Sequence, residues 1–417
     1  MKKQVLDCVV VGGGPAGARA IYELSKISTN IALIDYRETL GDKLCTGIIG
    51  TECVEKYGID NNIIYQEADS ADIINPAKDI FHLKSEKPKA YIIDRVQYVQ
   101  NLINKAKNNN AKIICKYRVT GIDQTENKVA ITYSNKKEEK VIYSKSIILA
   151  SGLENKLIND FNIAPLKKEN ILNGSQLKIK SKYPNVISNT KVFIGSNYGF
   201  QGFGWIVPTS NDELLIGVLA RDKSKKIITE FISLVTKTYN IIINESDKKN
   251  IKSWGIPIKP LEKTYDNRLL VVGDAAGLVK PITGGGIYYS QISAEIAVKT
   301  IKHALEINNF NCEIMANYQQ KWEKQIGDEI TRSNKLRDTL FGFEDNMLNH
   351  LTKFTLSNKL ISKILLSKSS SFDNHFQSFV NFINNEKVNN LFSQSKSNSI
   401  KTLIPNLKKK FLDNLRN

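Results

Sequence analysis

Histidine is scarce in this sequence. The four residues, His82, His303, His350 and His375, stand at no metal-ligand spacing to a carboxylate or a cysteine, so no metal site is expected. Cysteine is almost as scarce. Cys8, Cys45, Cys53, Cys115 and Cys312 are odd in number, scattered, and form no CxxC pair. That excludes a disulfide framework and reads as reduced thiols of a cytosolic protein. No uninterrupted apolar stretch approaches the about 18 residues of a spanning helix. The opening MKKQVLDCVVVGGG has two lysines and an apolar run, but glycines cut that run too early for a signal peptide, so a cytoplasmic location is expected. GxGxxG occurs once, so no dedicated NAD(P)H domain is expected either.

The 417 residues, 41% of them hydrophobic and 8% aromatic, suit two domains or one large elaborated one with a sizeable core. The net charge of +17 is compatible with nucleic acid, but no binding motif accompanies it and no nucleic-acid partner is expected. An anionic membrane surface is a second reading, and solvated lysines are the preferred one.

VLDCVVV is a short β-branched run that suits a buried parallel strand. GGGPAG follows at once, then ARAIYELSKI at helical spacing, then NIALIDYR as a second strand ending at Asp35. This strand–turn–helix–strand unit binds dinucleotides. Gly12 permits the tight turn, Gly14 admits the pyrophosphate, and Gly17 lets helix and strand pack closely. Asp35 stands near the usual spacing of an acid on a ribose hydroxyl. The unit does not distinguish NAD from FAD.

A second glycine cluster narrows the choice. RLLVVGD reads as a strand delivering Asp274, and PITGGGIYYSQISAEIAVKTI opens a helix. A carboxylate there can accept hydrogen bonds from a polyol. The free N–H groups of Gly284, Gly285, Gly286 and Ile287 can face an electron-rich ring edge. A cofactor with a ribityl chain and an isoalloxazine ring needs both.

With GxGxxG near the start and GD late in the chain, the sequence resembles the FAD-dependent group related to the aromatic hydroxylases. GDAAGLVKPITGGGIYYS is similar to the geranylgeranyl reductase family in particular. Agreeing with it are GDKLCTGIIG, the arginine-bearing IIDRVQYVQNLINKA and the aromatic FGWIVPTSNDELLIGV. The resemblance spans residues 5 to 330. It implies FAD contacts at Gly12, Gly14, Ala16, Gly17, Asp35, Cys45, Gly47, Arg95, the Val119 backbone, Asp274, Gly286 and Ile287. Ser151 stands where related flavoproteins carry an acid, which bears on a nicotinamide groove and not on FAD.

Cys45 is the thiol singled out for a catalytic role, on the resemblance; its other reading is a small packed residue. Lys43 stabilises a thiolate there if it also lies close in space. Phe203 and Trp205 alternate and share one strand face. With Pro208 and Tyr288 they are named as substrate-binding, and a plain core face is the alternative. The expected fold class is α/β: a Rossmann-type FAD-binding domain with an inserted antiparallel-sheet substrate domain and a C-terminal helical region. The FAD-binding domain is assigned residues 1–72, 90–165 and 263–330, the substrate sheet 73–89 and 166–262, and the amphipathic helices 331–417. The helices read as a cap on the core, or as an interfacial element with Leu403, Leu407 and Phe411 facing a bilayer. The activity implied is reduction of C=C bonds in a prenyl lipid or prenyl diphosphate. NAD(P)H or an acidic electron-transfer protein would be the donor. A flavin monooxygenase or halogenase, an oxidoreductase on a non-prenyl metabolite, and a flavin-holding lipid-binding protein without turnover remain as alternatives.

Overall fold

The computed structural model describes residues 4–43, 45–153, 155–159, 161–180, 188–199, 201–210, 213–367 and 370–411. Of the stretches quoted above, Met1, Lys2, Lys3, Leu44, Asn211 and Asp212 lie outside the described residues, as do 368, 369 and 412–417 of the C-terminal helices.

Among the described residues three sheets organise the chain. The first has strand Val5–Val11 at its centre, parallel to Ile31–Asp35 on one side and to Glu139–Leu149 on the other. Lys112–Cys115 and Leu269–Val271 extend it in parallel. Val9 and Val10 are fully buried because helices cover both faces, which is why the strand reads as a continuous apolar run. Helix Pro15–Ser25 packs against helices Arg95–Asn108 and Ile287–Glu306. The fold is the expected α/β Rossmann type.

The second sheet has seven strands, with Phe203–Ser210 and Glu213–Ala220 near its middle. Its pairs are antiparallel with one exception: Thr190–Ile194 runs parallel to Ser70–Ile74. The sheet is antiparallel as expected apart from that pair, whose strands are far apart in sequence and joined by no hairpin. Strand alternation divides the faces. Ile206, Leu214, Ile216 and Val218 pack under helix Ser224–Tyr239 through Ile228, Phe231 and Ile232. Trp205, Val207, Leu215 and Leu219 face the other way, onto Ile92 and Val279. A third, three-stranded sheet joins Ile48–Gly50, Ala90–Ile93 and Ile64–Ala68.

Helices from Asp328 onward form a core of their own. Leu403, Leu407 and Phe411 on helix Asn398–Phe411 are only 8%, 7% and 6% exposed. The bilayer-facing reading of these three is therefore corrected. Phe411 packs its ring against Phe376 and Phe379 of helix His375–Asn384, so the facing helix supplies the apolar surface a membrane would have supplied. Among the described residues no helix is long and apolar enough to cross a membrane.

Candidate functional site

The first glycine cluster turns the chain from strand to helix. Gly12 holds φ at +102°, and its amide donates to the Ile34 carbonyl at 2.9 Å. A Cβ on Gly17 would sit 1.8 Å from the Gly12 carbonyl oxygen, so only glycine lets this helix rest on this strand. A Cβ on Gly14, in contrast, would meet nothing within 4 Å. Gly14 is the helix N-cap, without a side-chain partner, and Pro15 opens the first turn. The orphan N–H groups of that turn face open space.

The second cluster repeats the device. The Lys280 amide donates to the Gly285 carbonyl at 3.0 Å, and the Gly284 amide to the Lys280 carbonyl at 2.8 Å, which closes the glycine turn. Helix Ile287–Glu306 starts at Gly286, again without a side-chain cap. Asp274 lies across this end: a Cβ on Gly286 would approach its Oδ1 to 2.7 Å.

Both helix ends open on one cleft. Gly12, Gly14, Ala16, Asp35, Cys45, Arg95, Val119, Asp274, Gly284, Gly286 and Ile287 line it. Gly17, Gly47 and Gly285 lie behind the lining, where each keeps a close approach open: toward Gly12, toward the Ile93 carbonyl, and toward the Lys280 side chain.

Several side chains take duties the sequence did not show. Asp35 is 4% exposed. Its Oδ2 accepts from the Gly13 amide at 2.6 Å and its Oδ1 from the Arg37 amide at 2.7 Å, so it ties the glycine turn to its own strand. Arg95 is buried, and its Nη2 donates to the carbonyls of Gly41 and Lys43, bracing the loop that carries Cys45. The Cys45 Sγ accepts from the Gly47 amide at 3.4 Å. Lys43 pairs with Asp274, Nζ to Oδ2 at 3.1 Å. Cys53 is packing: burial, and next the charge of Asp373, push its thiol up to about 12.

Phe203 and Trp205 do share the sheet face toward the cofactor domain, their rings 5.6 Å apart. Trp205 Nε1 donates to Gln176 Oε1 at 3.3 Å, and Thr46 Oγ1 donates to the same oxygen at 3.2 Å, which links the indole to the Cys45 loop. Pro208 stands at the opposite parity of the strand. Tyr288 turns its ring edge to Tyr57 at 6.2 Å and lies outside the cleft lining. Trp254, Gly255 and Ile256 line the cleft and were missed. The WGIP of that strand was the available signal.

Behind the second glycine turn lies a buried ion pair. Lys280 Nζ reaches Asp373 Oδ1 at 3.0 Å and the Phe372 carbonyl at 3.1 Å; the two charged residues are 3% and 1% exposed. The other Asp373 oxygen accepts from the Cys53 amide at 3.1 Å, in the first turn of helix Thr51–Tyr57. Tyr289 donates to the Asp373 carbonyl at 3.3 Å. The C-terminal helices are thereby fastened to the turn.

One uncapped helix end above a bare Gly14, a second opposite a carboxylate, and one cleft between them fit a pyrophosphate, a ribityl chain and a ring edge. A family model described as pyridine nucleotide-disulphide oxidoreductase matches residues 6–189. The chain is 26% identical over 357 residues to a digeranylgeranylglycerophospholipid reductase of Methanocaldococcus jannaschii, covering 84% of this chain and 90% of the relative. It shares the fold of a geranylgeranyl bacteriochlorophyll reductase-like protein from Thermoplasma acidophilum, with TM-score 0.77 and 20% identity over 98% of this chain and 100% of that one. A p-nitrophenol 4-monooxygenase from Pseudomonas putida is similar at TM-score 0.67 and 11% identity, over 87% and 97% of the two chains. Fold and site together define an FAD-dependent oxidoreductase. Within that class the sequence relatives it matches are named as digeranylgeranylglycerophospholipid reductases, and the chain resembles geranylgeranyl-type reductases.

Proposed function

We propose that this protein reduces carbon–carbon double bonds in a prenyl chain of geranylgeranyl type, carried by a lipid or a diphosphate. The observation that carries the reading is the apolar sheet face of Phe203, Trp205, Leu219 and Ile256, set against the cleft at Gly284 and Ile256. The names of the sequence relatives support the same substrate class. Bound FAD, once reduced, supplies the hydride. The chain's own residues orient and seal. The first-turn amides of helix Pro15–Ser25 would hold the FAD pyrophosphate, Asp274 would accept from the ribityl hydroxyls, and the amides of Gly284–Ile287 would offset negative charge at the ring edge. Residues 1–69, 90–165 and 263–330 form the FAD-binding domain in this reading, with 70–89 and 166–262 as the substrate sheet; the boundary expected after residue 72 moves because strand Ser70–Ile74 pairs wholly within that sheet. The donor is NAD(P)H or an acidic electron carrier.

The test is anaerobic. Protein reduced with dithionite and given a geranylgeranyl lipid should reoxidise, and the lipid should gain two mass units per turnover. Flavin that stays reduced beside unchanged lipid would sink the reading. Reoxidation that waits for oxygen and yields an oxygenated product would favour the monooxygenase reading, which the fold shared with the p-nitrophenol enzyme keeps in view. Cys45, lining the cleft, is proposed to act beside the ring system. Cys45→Ala should keep FAD one to one and lower turnover at least roughly tenfold, reaching about 10²-fold or more where the thiol supplies the proton. Unchanged turnover would reduce Cys45 to packing.

A further inference from the structure

Arg337 stands on helix Asp328–Leu340 and is 0% exposed. Its Nη2 donates to the Gln201 carbonyl. Its Nε and Nη1 are sealed from solvent and have no partner among the described residues. A second cation stands beside it. Arg221 donates from Nε to Gln201 Oε1 at 2.7 Å and from Nη1 to the Glu169 carbonyl at 2.6 Å. Burial first, and then the Arg221 charge, push Arg337 down to about 10. Even so it carries its charge at neutral pH, and among the described residues neither arginine forms an ion pair. A buried guanidinium with two open donors and a like charge for a neighbour is a costly arrangement without an anion.

Its place in the fold says which anion. Gln201 leads directly into strand Phe203–Ser210, whose Phe203 begins the apolar face. Asn334, three residues before Arg337, donates to the carbonyl of Ile258, two residues beyond the cleft-lining Ile256. Leu219, opposite Phe203, comes within 3.6 Å of a Cβ placed on Gly284. The arginines therefore stand at the end of the apolar face that abuts the glycine turn. A chain laid along that face brings one terminus to them.

We infer that Arg337, with Arg221 beside it, binds the phosphate group at the head of the substrate. Planar guanidinium forks match phosphate oxygens in pairs. The inference rests on the prenyl reading for the identity of the lipid, and on nothing in that reading for the anion. Both free nitrogens are sealed from solvent, so binding requires a local shift of the chain that covers them; Gln201, whose carbonyl Arg337 holds, sits at φ +55°.

The experiment measures binding of geranylgeranyl diphosphate, geranylgeraniol and inorganic pyrophosphate to the FAD-loaded protein and to Arg337→Met and Arg337→Lys. Wild type should prefer the diphosphate to the alcohol by roughly 10- to 100-fold. Arg337→Met should erase that preference and keep FAD, with a melting temperature equal or higher because an unpaired buried charge has gone. Arg337→Lys should recover part of the preference. Pyrophosphate raising the melting temperature of wild type but not of Arg337→Met would support the site as one that also takes the free anion; the same dependence shown by the lipid alone would support a headgroup site. Equal binding of alcohol and diphosphate, or a preference surviving in Arg337→Met, would overturn the inference and leave the prenyl reading standing. Pyrophosphate binding through Arg337 with no affinity for either prenyl compound would do the reverse. No binding of any of the three would overturn both.

Discussion

Asp373→Asn is expected to destabilise the holoprotein by about 3–5 kcal/mol, the usual cost of stranding one member of a buried ion pair. The substitution keeps the shape and removes the charge. Lys280 then holds an ammonium at 3% exposure with the Phe372 carbonyl and ring and a neutral amide for company. Asparagine offers one acceptor where aspartate offers two, so either the Cys53 amide or the Lys280 ammonium is left facing a donor. Against a total stability of about 5–15 kcal/mol that loss is large. It should also reach the cofactor, because Lys280 closes the glycine turn with its own backbone, its amide on Gly285 and its carbonyl on Gly284. Urea unfolding followed by flavin fluorescence would show the midpoint falling and FAD leaving early. The double substitution Lys280→Met with Asp373→Leu should recover most of the loss, since an apolar pair of similar volume has no charge to strand. If Asp373→Asn unfolds with wild-type stability, the ion pair does not fasten the C-terminal helices to the turn.

What was legible in the sequence is what backbone sterics write in glycine. Gly12, Gly14 and Gly17 announce a turn, an open approach and a close packing, and each stands where its neighbours require it. Parity was legible too: Phe203 and Trp205 share a face because strands alternate, and the same rule turns Pro208 away. Charge partners were not. Lys43, two residues before Cys45 in sequence, reaches across to Asp274, because a long side chain finds its partner in space and not along the chain. Arg337 and Asp373 sit in a Lys-, Asn- and Ser-rich stretch where any charged residue looks like surface, and only their burial marks them. The apolar stripe of helix Asn398–Phe411 was correct as a stripe. A bilayer and a facing helix satisfy it equally in one dimension, and the phenylalanines of His375–Asn384 decide between them.

Gly17→Ala and Gly14→Ala are expected to fail in different ways, and the difference locates the pyrophosphate. The methyl that Gly17→Ala adds meets the Gly12 carbonyl oxygen at 1.8 Å, a backbone atom that cannot rotate away. The helix must lift from the strand by more than an ångström, and its first-turn amides lift with it. FAD affinity should fall by roughly 100-fold or more, about 2.7 kcal/mol and upward, and the apoprotein should melt lower as well, because the clash exists without any ligand. At Gly14 φ is −79°, and a methyl meets nothing within 4 Å, so the apoprotein should melt as wild type does. The space the methyl takes is the space assigned to the phosphates, so FAD affinity should fall there too, by roughly tenfold or more. Absorbance ratios of the purified proteins and thermal melts of the stripped ones separate the two effects. A Gly14→Ala protein that holds FAD as tightly as wild type would place the pyrophosphate away from this helix end, and with it the orientation of the whole cofactor in the cleft.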